Sequence, residues 1–292
     1  MPESALIEDR EKSDSKIHYP DIRQAIWLLV IVFLLASLLS IPVAVIGDID
    51  NPASIAVINL MAIGIVLKRG LKKINVPIKN VFPCTMINTS FYLPMFFTVV
   101  GMGILLSEID NLFQSVFPAP KFLTDIFVDI ASGQTSLWGS ALFLVIVAPL
   151  TEELLFRGFI LHGFLSHYTV RKSILASAIL FGLFHINPWQ LTSTIILGII
   201  FAWWFVRTGS LLPCLFGHAL HNSIPLIVMR IFPQEIKGLT TLPSKGIVEF
   251  QPLWLDFTGL ILAGLGLWIL TRMFRDTEVN PHEDSLLSES GG

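Results

Sequence analysis

Long apolar stretches separated by short polar segments divide the chain into eight segments of roughly membrane-spanning length. These segments are 25–46, 51–67, 89–107, 137–165, 173–187, 190–206, 211–229 and 253–273. A helix needs about 20 mainly apolar residues to cross a bilayer, so the second and fifth segments, which are shorter, have the weaker signals. The pattern predicts an all-α polytopic membrane helical bundle of about eight transmembrane helices. Pro42 and Pro149 fall inside two of them and should kink them.

Residues 112–131 have a different pattern, with apolar positions at helical spacing and charged residues between them. The apolar positions are Phe122, Ile126 and Ile130, and Lys121 and Asp125 are among the charged residues that separate them. A helix with one apolar and one charged face lies in the membrane interface rather than across it. The segment is therefore predicted to be an interfacial amphipathic helix.

The distribution of positive charge predicts the orientation. With a cytoplasmic N-terminus, 15 of the 19 Lys and Arg residues fall on the inner side and 4 on the outer side. Such a bias places the basic side in the cytoplasm, so both termini are predicted to be cytoplasmic. The resulting division is a polar tail at 1–24, a transmembrane domain at 25–275 and a second polar tail at 276–292.

Composition agrees with a membrane protein. The chain is 53% hydrophobic and 14% charged, whereas soluble domains average about 25% charged residues. A net charge of −3 gives no nucleic-acid signal. The first 24 residues are polar, so no cleavable signal peptide is expected, and Cys84 and Cys214 form no disulfide or metal-binding pattern.

Three ionisable residues interrupt the most apolar part of the chain, between 137 and 162. They are Glu152, Glu153 and Arg157. A charge near the centre of a bilayer costs about 2.5–3.5 kcal/mol, so such residues face the interior of a bundle and have functions there. Glu153 and Arg157 are spaced i, i+4 and can pair on one helix face. Glu152 lies about 100° around the helix and is free for another role.

Two further segments carry polar residues at helical spacing. Phe181 and His185 share one face of the fifth segment, and His218 and Asn222 share one face of the seventh. At a rise of about 1.5 Å per residue, Glu152, His185 and His218 all fall in the middle to cytoplasmic half of the membrane. The sequence therefore predicts that these side chains meet in one central intramembrane cavity.

In three motifs the chain resembles the CAAX protease and bacteriocin-processing (CPBP, or Abi) family of intramembrane proteases. The motifs are Glu152-Glu153-x-x-Phe156-Arg157, Phe181-x-x-x-His185 and His218-x-x-x-Asn222. They lie in order on separate segments within residues 137–225, under a third of the chain. The best-understood branch of the family is the type II CAAX prenyl endopeptidase, and the resemblance implies peptidase activity.

The resemblance also implies roles for four of these residues. Glu152, as general base, and His185 would hold and activate a water, and His218 and Asn222 would stabilise the oxyanion of the tetrahedral intermediate. General chemistry supports these roles, since a carboxylate in apolar surroundings is a stronger base. Donors aimed at a developing oxyanion in a water-poor site also contribute strongly to catalysis.

Two supporting positions and one alternative complete the candidate site. Glu153 and Arg157 would support the site as a structural ion pair. His221 lies about 60° from His218 on the same helix and could be the working histidine instead, although the motif spacing favours His218.

A metal centre is the alternative chemistry. Glu152, His185 and His218 would form a His₂Glu set, which is typical of a catalytic zinc site with water as the fourth ligand. The chain lacks the His-Glu-x-x-His helix of common zinc proteases. The metal-free mechanism is therefore favoured, with no cofactor, and zinc or another divalent metal is kept as the alternative.

The sequence as a whole favours an intramembrane endopeptidase of a bacterial-type inner or plasma membrane. Its expected partners are membrane lipid and a peptide or lipidated membrane protein, with CAAX-type processing or bacteriocin and peptide maturation as possible contexts, and no nucleic acid. A transporter or proton-coupled channel is one alternative, because buried Glu and His chains also relay protons. A non-catalytic membrane scaffold or immunity protein is another.

Overall fold

The computed structural model describes residues 19–74, 77–132, 136–231, 236–239 and 248–279, and within these ranges it contains helices and no strands. The predicted all-α class is confirmed. Most of the predicted tails, 1–24 and 276–292, lies outside the described residues. The helices are α1 Ile22–Val45, α2 Pro52–Leu71, α3 Ile78–Val81, α4 Tyr92–Val116, α5 Lys121–Ser132, α6 Leu137–His167, α7 Val170–Phe184, α8 Leu191–Thr208, α9 Leu212–Ile231 and α10 Leu253–Val279.

Within the described ranges, seven helices are long and apolar enough to cross a membrane. They are α1, α2, α4 with the short turn Thr89–Phe91 that precedes it, α6, α8, α9 and α10. The remaining predicted segment forms α7, which has 15 residues and spans about 22 Å, less than the roughly 30 Å hydrocarbon core. This helix ends at Phe184 because Pro188 follows closely and disfavours helical geometry at the residue before it.

The segment predicted to be one amphipathic helix, 112–131, is divided in two. Residues up to Val116 continue α4, and α5 begins at Lys121. Pro118 and Pro120 lie between them, and proline cannot donate the backbone hydrogen bond that a continuous helix needs. The amphipathic character holds for α5, where Phe122 is exposed and Lys121 pairs with the residue four positions later.

The central helix α6 packs against α2, α7, α8 and α9. Its middle part, Ala148–Glu153, lies between two π-helical stretches, Leu142–Val147 and Leu154–Leu161. Leu155, Phe156 and Ile160 on this helix are fully buried. A π-helical turn shifts the hydrogen-bond register and redirects side chains, and such turns are frequent at functional sites. This helix carries both glutamates of the first motif.

Helices α7 and α8 form a tight hairpin through small residues. A Cβ added at Gly198 would lie 3.1 Å from Cα of Ala178, and one added at Gly182 would lie 2.6 Å from Cγ1 of Ile195. Small residues let helix backbones approach closely in membranes. This approach fixes the end of α7, and with it His185, relative to the cavity.

Helices α4 and α10 also pack at backbone distance, which gives a first testable prediction. A Cβ at Gly101 would lie 2.6 Å from the carbonyl oxygen of Gly259, whereas one at Gly64 would meet nothing within 4 Å. Gly101→Val should therefore destabilise the fold by about 1–3 kcal/mol, because the helices must separate. Thermal unfolding in detergent measures this, with Gly64→Val as the matched control. Equal unfolding midpoints for the two variants would contradict the packing.

Candidate active site

A cavity of about 320 Å³ lies among α4 to α9 and gathers the motif residues. Glu152, His185, His218 and Asn222 all line it, so the three side chains that were predicted to meet do share one cavity. Helix α5 contributes Ile130 to the lining. Most of the lining is apolar, as expected of a binding site with a few placed polar groups.

Glu152 is the buried carboxylate of this cavity. Its Oε2 atom has no hydrogen-bond partner among the described residues, and the residue is 7% exposed. Oε2 lies 3.8 Å from Nε2 of His185 and 3.9 Å from Nε2 of His218. These separations are too long for direct hydrogen bonds, and a small polar molecule can bridge groups at this distance. Two imidazoles thus face one unpartnered carboxylate oxygen.

His185 follows the last residue of α7. Its Nδ1 lies 2.9 Å from the carbonyl oxygen of Phe181, so an Nδ1–H donates there and Nε2 is directed to Glu152. The next residue, Ile186, has φ of 50°. A β-branched residue rarely adopts this left-handed conformation, and strained backbone of this kind clusters at functional sites. The chain therefore turns out of the helix immediately after His185.

His218 is held by the second glutamate of the first motif. Its Nδ1 lies 2.7 Å from Oε1 of Glu153, and its ring stacks on Phe201 and meets the edge of Phe181. A carboxylate on one ring nitrogen orients a histidine and fixes which nitrogen faces the site. Nε2 of His218 consequently points to Glu152.

Glu153 and Arg157 form the predicted i, i+4 ion pair, with 2.8 Å between Oε1 and an Arg157 terminal nitrogen, and both side chains are fully buried. Arg157 also donates to the carbonyl of Gly198 and lies over the ring of Phe181, 4.4 Å from its centroid. Because Glu153 contacts His218 as well, a continuous buried chain runs from Arg157 through Glu153 to His218.

Asn222 is positioned by an irregularity of α6. Its Nδ2 donates to the carbonyl of Leu144 at 3.0 Å. In a regular helix Ala148 N–H would bond to that carbonyl, but in the π-helical stretch it bonds to Phe143 instead. The residue one position later is Pro149, which has no N–H. The carbonyl is therefore left free for Asn222, and a side-chain partner satisfies it.

His221 also lines the cavity, and its Nδ1 is buried without a hydrogen-bond partner among the described residues. The structure brings His218, and not His221, within 4 Å of a glutamate oxygen. This geometry agrees with the preference for His218 that the motif spacing gave.

The distances between the possible metal ligands can be compared with those of a zinc site. Among the described residues, no group of three His, Cys, Asp or Glu side chains has the arrangement of a metal site. Zinc ligands about 2.1 Å from one ion lie about 3.4 Å apart in tetrahedral geometry. The Glu152–His185 and Glu152–His218 separations of 3.8 and 3.9 Å are wider. As placed, these residues do not fit a tetrahedral zinc ion.

Among the polar residues of the cavity that the motifs do not include, Asp110 is the charged one. Asp110, on α4, lines the cavity and accepts a hydrogen bond from Ser193. It belongs to no motif and stands in a segment with other polar residues, which masks its signal.

Comparisons with known proteins agree with the motifs. Residues 134–224 match the model of the Rce1-like family, described as type II CAAX prenyl endopeptidase Rce1-like, and this segment contains all the motif positions. The uncharacterized protein YyaK of Bacillus subtilis (strain 168) is 28% identical over 146 residues, which are 45% of this chain and 48% of YyaK. The chain thus spans about half the length of this curated relative. No solved structure matches.

Proposed function

We propose that this integral membrane protein, whose residues 134–224 carry the Rce1-like CAAX prenyl endopeptidase family match, hydrolyses a peptide bond with a glutamate-activated water. The family supports a membrane protease. The metal-free mechanism and the roles of individual residues belong to this proposal.

The observation that carries the proposal is the convergence on Glu152. Its unpartnered Oε2 lies within 4 Å of Nε2 of both His185 and His218, inside a cavity large enough for part of a peptide. A water placed among these three atoms can donate one hydrogen bond to the carboxylate. It can also form a hydrogen bond with Nε2 of each imidazole. A general base must be within hydrogen-bond reach of the proton that it removes, and this arrangement meets that requirement.

The reaction then follows from the side chains present. Glu152 removes a proton from the water, and the hydroxide oxygen adds to the carbonyl carbon of the scissile bond. The oxyanion accepts hydrogen bonds from Nε2–H of His218, which Glu153 positions through Nδ1, and from the second Nδ2–H of Asn222. Collapse breaks the C–N bond, and Glu152 returns its proton to the leaving amine. The products are one carboxylic acid, which ionises in water, and one amine.

The proposed substrate is a peptide or a membrane-associated protein that reaches the cavity from the lipid or the interface. CAAX-type processing and peptide maturation both fit this class. We also propose that both termini are cytoplasmic, with the short helix α7 crossing as the eighth segment, because an even number of crossings returns the chain to the side on which it begins. Arg157 is buried in an ion pair with Glu153, so it is not counted as a topology signal. Of the 15 inner basic residues, 14 then remain, against 4 on the outer side.

The proposal is tested by cleavage in a defined membrane. The full-length protein, reconstituted in liposomes, is incubated with a library of lipidated and unmodified peptides, and products are identified by mass spectrometry. We expect cleavage at a single bond of each accepted peptide, and the same cleavage by Asp50→Asn, a change at an exposed loop carboxylate. Proton or solute flux through the liposomes without any cleavage would support a transporter and contradict the proposal.

Removal of metal gives a separate expectation. Because the donors as placed do not fit an ion, EDTA or 1,10-phenanthroline should leave kcat/KM unchanged within about twofold, well below the tenfold change that 1.4 kcal/mol represents. The measurement is initial-rate cleavage before and after dialysis against the chelator. Loss of activity that added zinc restores would contradict the metal-free mechanism while leaving the peptidase function intact.

A further inference from the structure

Asp110 occupies the junction of three cavities. It lines the active-site cavity and two neighbouring cavities of about 180 and 220 Å³. Ser193, His221 and Pro225 line both the active-site cavity and the larger neighbour, and Gln190 lines both the active-site cavity and the smaller one. Space therefore continues from the catalytic residues past this carboxylate.

A single buried residue holds the carboxylate in place. The hydroxyl of Ser193, in the first turn of α8, donates to Oδ1 of Asp110 at 2.6 Å, and Ser193 is 6% exposed. This is the one hydrogen bond that the structure gives Asp110 within the described ranges. Asp110 is only partly buried and lines all three cavities, so its carboxylate can be reached from them. Ser193 thus anchors one oxygen of a carboxylate that faces the cavities.

The charged residues that line these cavities favour a cationic ligand. In the part of the chain that the structure describes, no Lys or Arg lines any of the three cavities, whereas Asp110 and Glu152 both do. The nearby Arg157 is already bonded to Glu153. A carboxylate taken out of water without a partner is costly, and a cleft lined by one sign of charge concentrates the opposite sign. An anionic group therefore finds no Lys or Arg in these cavities, whereas a cationic group can pair with Asp110.

We propose that Asp110 determines specificity by binding a cationic Lys or Arg side chain of the substrate, close to the scissile bond. The inference rests on the proposed peptidase function and adds a preference for substrate charge. The cavity that contains Glu152 also contains Asp110, so the recognised residue lies within a few positions of the bond that is cut. Ser193 positions the carboxylate and does not touch the substrate in this scheme.

Matched peptides test the preference. Starting from a peptide that the wild-type protein cleaves, each position flanking the cut is replaced in turn by Lys, norleucine or Glu. At one position we expect kcat/KM for Lys to exceed that for norleucine by about tenfold or more, as for a hydrogen bond to a charged group. In Asp110→Asn this ratio should fall to near one. Asp50→Asn, the exposed control, should keep the wild-type ratio.

The outcomes separate this inference from the function on which it rests. Wild-type cleavage with equal kcat/KM for Lys and norleucine at every position would overturn the role of Asp110 and leave the peptidase function standing. The role of Asp110 would also be overturned if the Asp110→Asn variant had a wild-type unfolding midpoint and kept the full preference for Lys over norleucine. If Asp110→Asn does not fold, Ser193→Ala, which frees the carboxylate, should weaken the preference. Absence of cleavage of any library peptide would overturn the peptidase function itself.

Discussion

Glu152→Gln is expected to lower kcat for peptide cleavage by about 10²–10⁴-fold, the usual contribution of a general base. Glutamine keeps the size of the side chain and removes the negative charge, so the water near His185 and His218 loses its proton acceptor. Binding of the substrate does not need this charge, so the change should fall on kcat more than on KM.

The fold should tolerate this variant. Oε2 of Glu152 has no hydrogen-bond partner among the described residues, so the amide breaks no bond that the structure contains. The check is kcat from initial rates together with the unfolding midpoint in detergent, with Asp50→Asn as the control. Activity within a few-fold of wild type would exclude Glu152 as the base. A large fall in the unfolding midpoint would mean that Glu152 stabilises the fold.

Arg157→Gln, unlike Glu152→Gln, should act first on the fold. We expect it to lower the free energy of unfolding by about 3–5 kcal/mol, with loss of activity as a consequence. Its charge is the buried partner of Glu153, and removing one member of a buried pair leaves an uncompensated charge. Because Glu153 also holds Nδ1 of His218, the disturbance should reach the catalytic histidine. Denaturant unfolding in detergent and the cleavage rate on the same sample measure both effects.

The chain contains a matched control for this experiment. Lys121 and Asp125 form an ion pair at the same i, i+4 spacing, 2.7 Å apart, but both side chains are exposed. Exposed pairs contribute about 0.2–1 kcal/mol, so Lys121→Gln should leave stability almost unchanged. If Arg157→Gln is as mild as Lys121→Gln, the buried chain from Arg157 to His218 does not stabilise the site. The double variant Glu153→Gln with Arg157→Gln should recover part of the stability, since no lone charge remains.

The sequence predicted most of the fold because hydrophobic length is the main constraint on a membrane helix. All eight apolar segments form helices, and the shortest of them, 173–187, became the short helix α7. The i, i+4 rule predicted the Glu153–Arg157 pair, since both residues are on one helix. The boundary between α4 and α5 was missed, because helical spacing was followed across Pro118 and Pro120.

Contacts between helices were harder to predict from the sequence. Glu153 and His218 are 65 positions apart in the sequence. The spacing of residues along one helix does not show that Oε1 of Glu153 bonds to both Arg157 and His218. The bond from Asn222 to Leu144 depends on a π-helical register that periodicity does not reveal. Such features are set by packing between helices, which a single sequence does not encode in its local pattern.

Asp110 was missed for a related reason. It lies near the end of an apolar segment, where a carboxylate is expected at an interface, and only the arrangement of α4 against α8 places it on a cavity shared with Glu152. Its neighbour along the chain, Glu108, takes a structural role by accepting from Asn111 and the backbone of Gln251. Two carboxylates two positions apart thus have different environments.

The central claim is that Glu152 directs a water onto the substrate carbonyl, and isotope labelling tests it most directly. A peptide that the wild-type protein cleaves is digested in water enriched in heavy oxygen, and both product fragments are weighed by mass spectrometry. The account predicts one heavy oxygen in the new carboxyl group of the wild-type product, and labelled product from Glu152→Gln at a rate lower by about 10²–10⁴-fold. Labelled product formed by Glu152→Gln at the wild-type rate would contradict it.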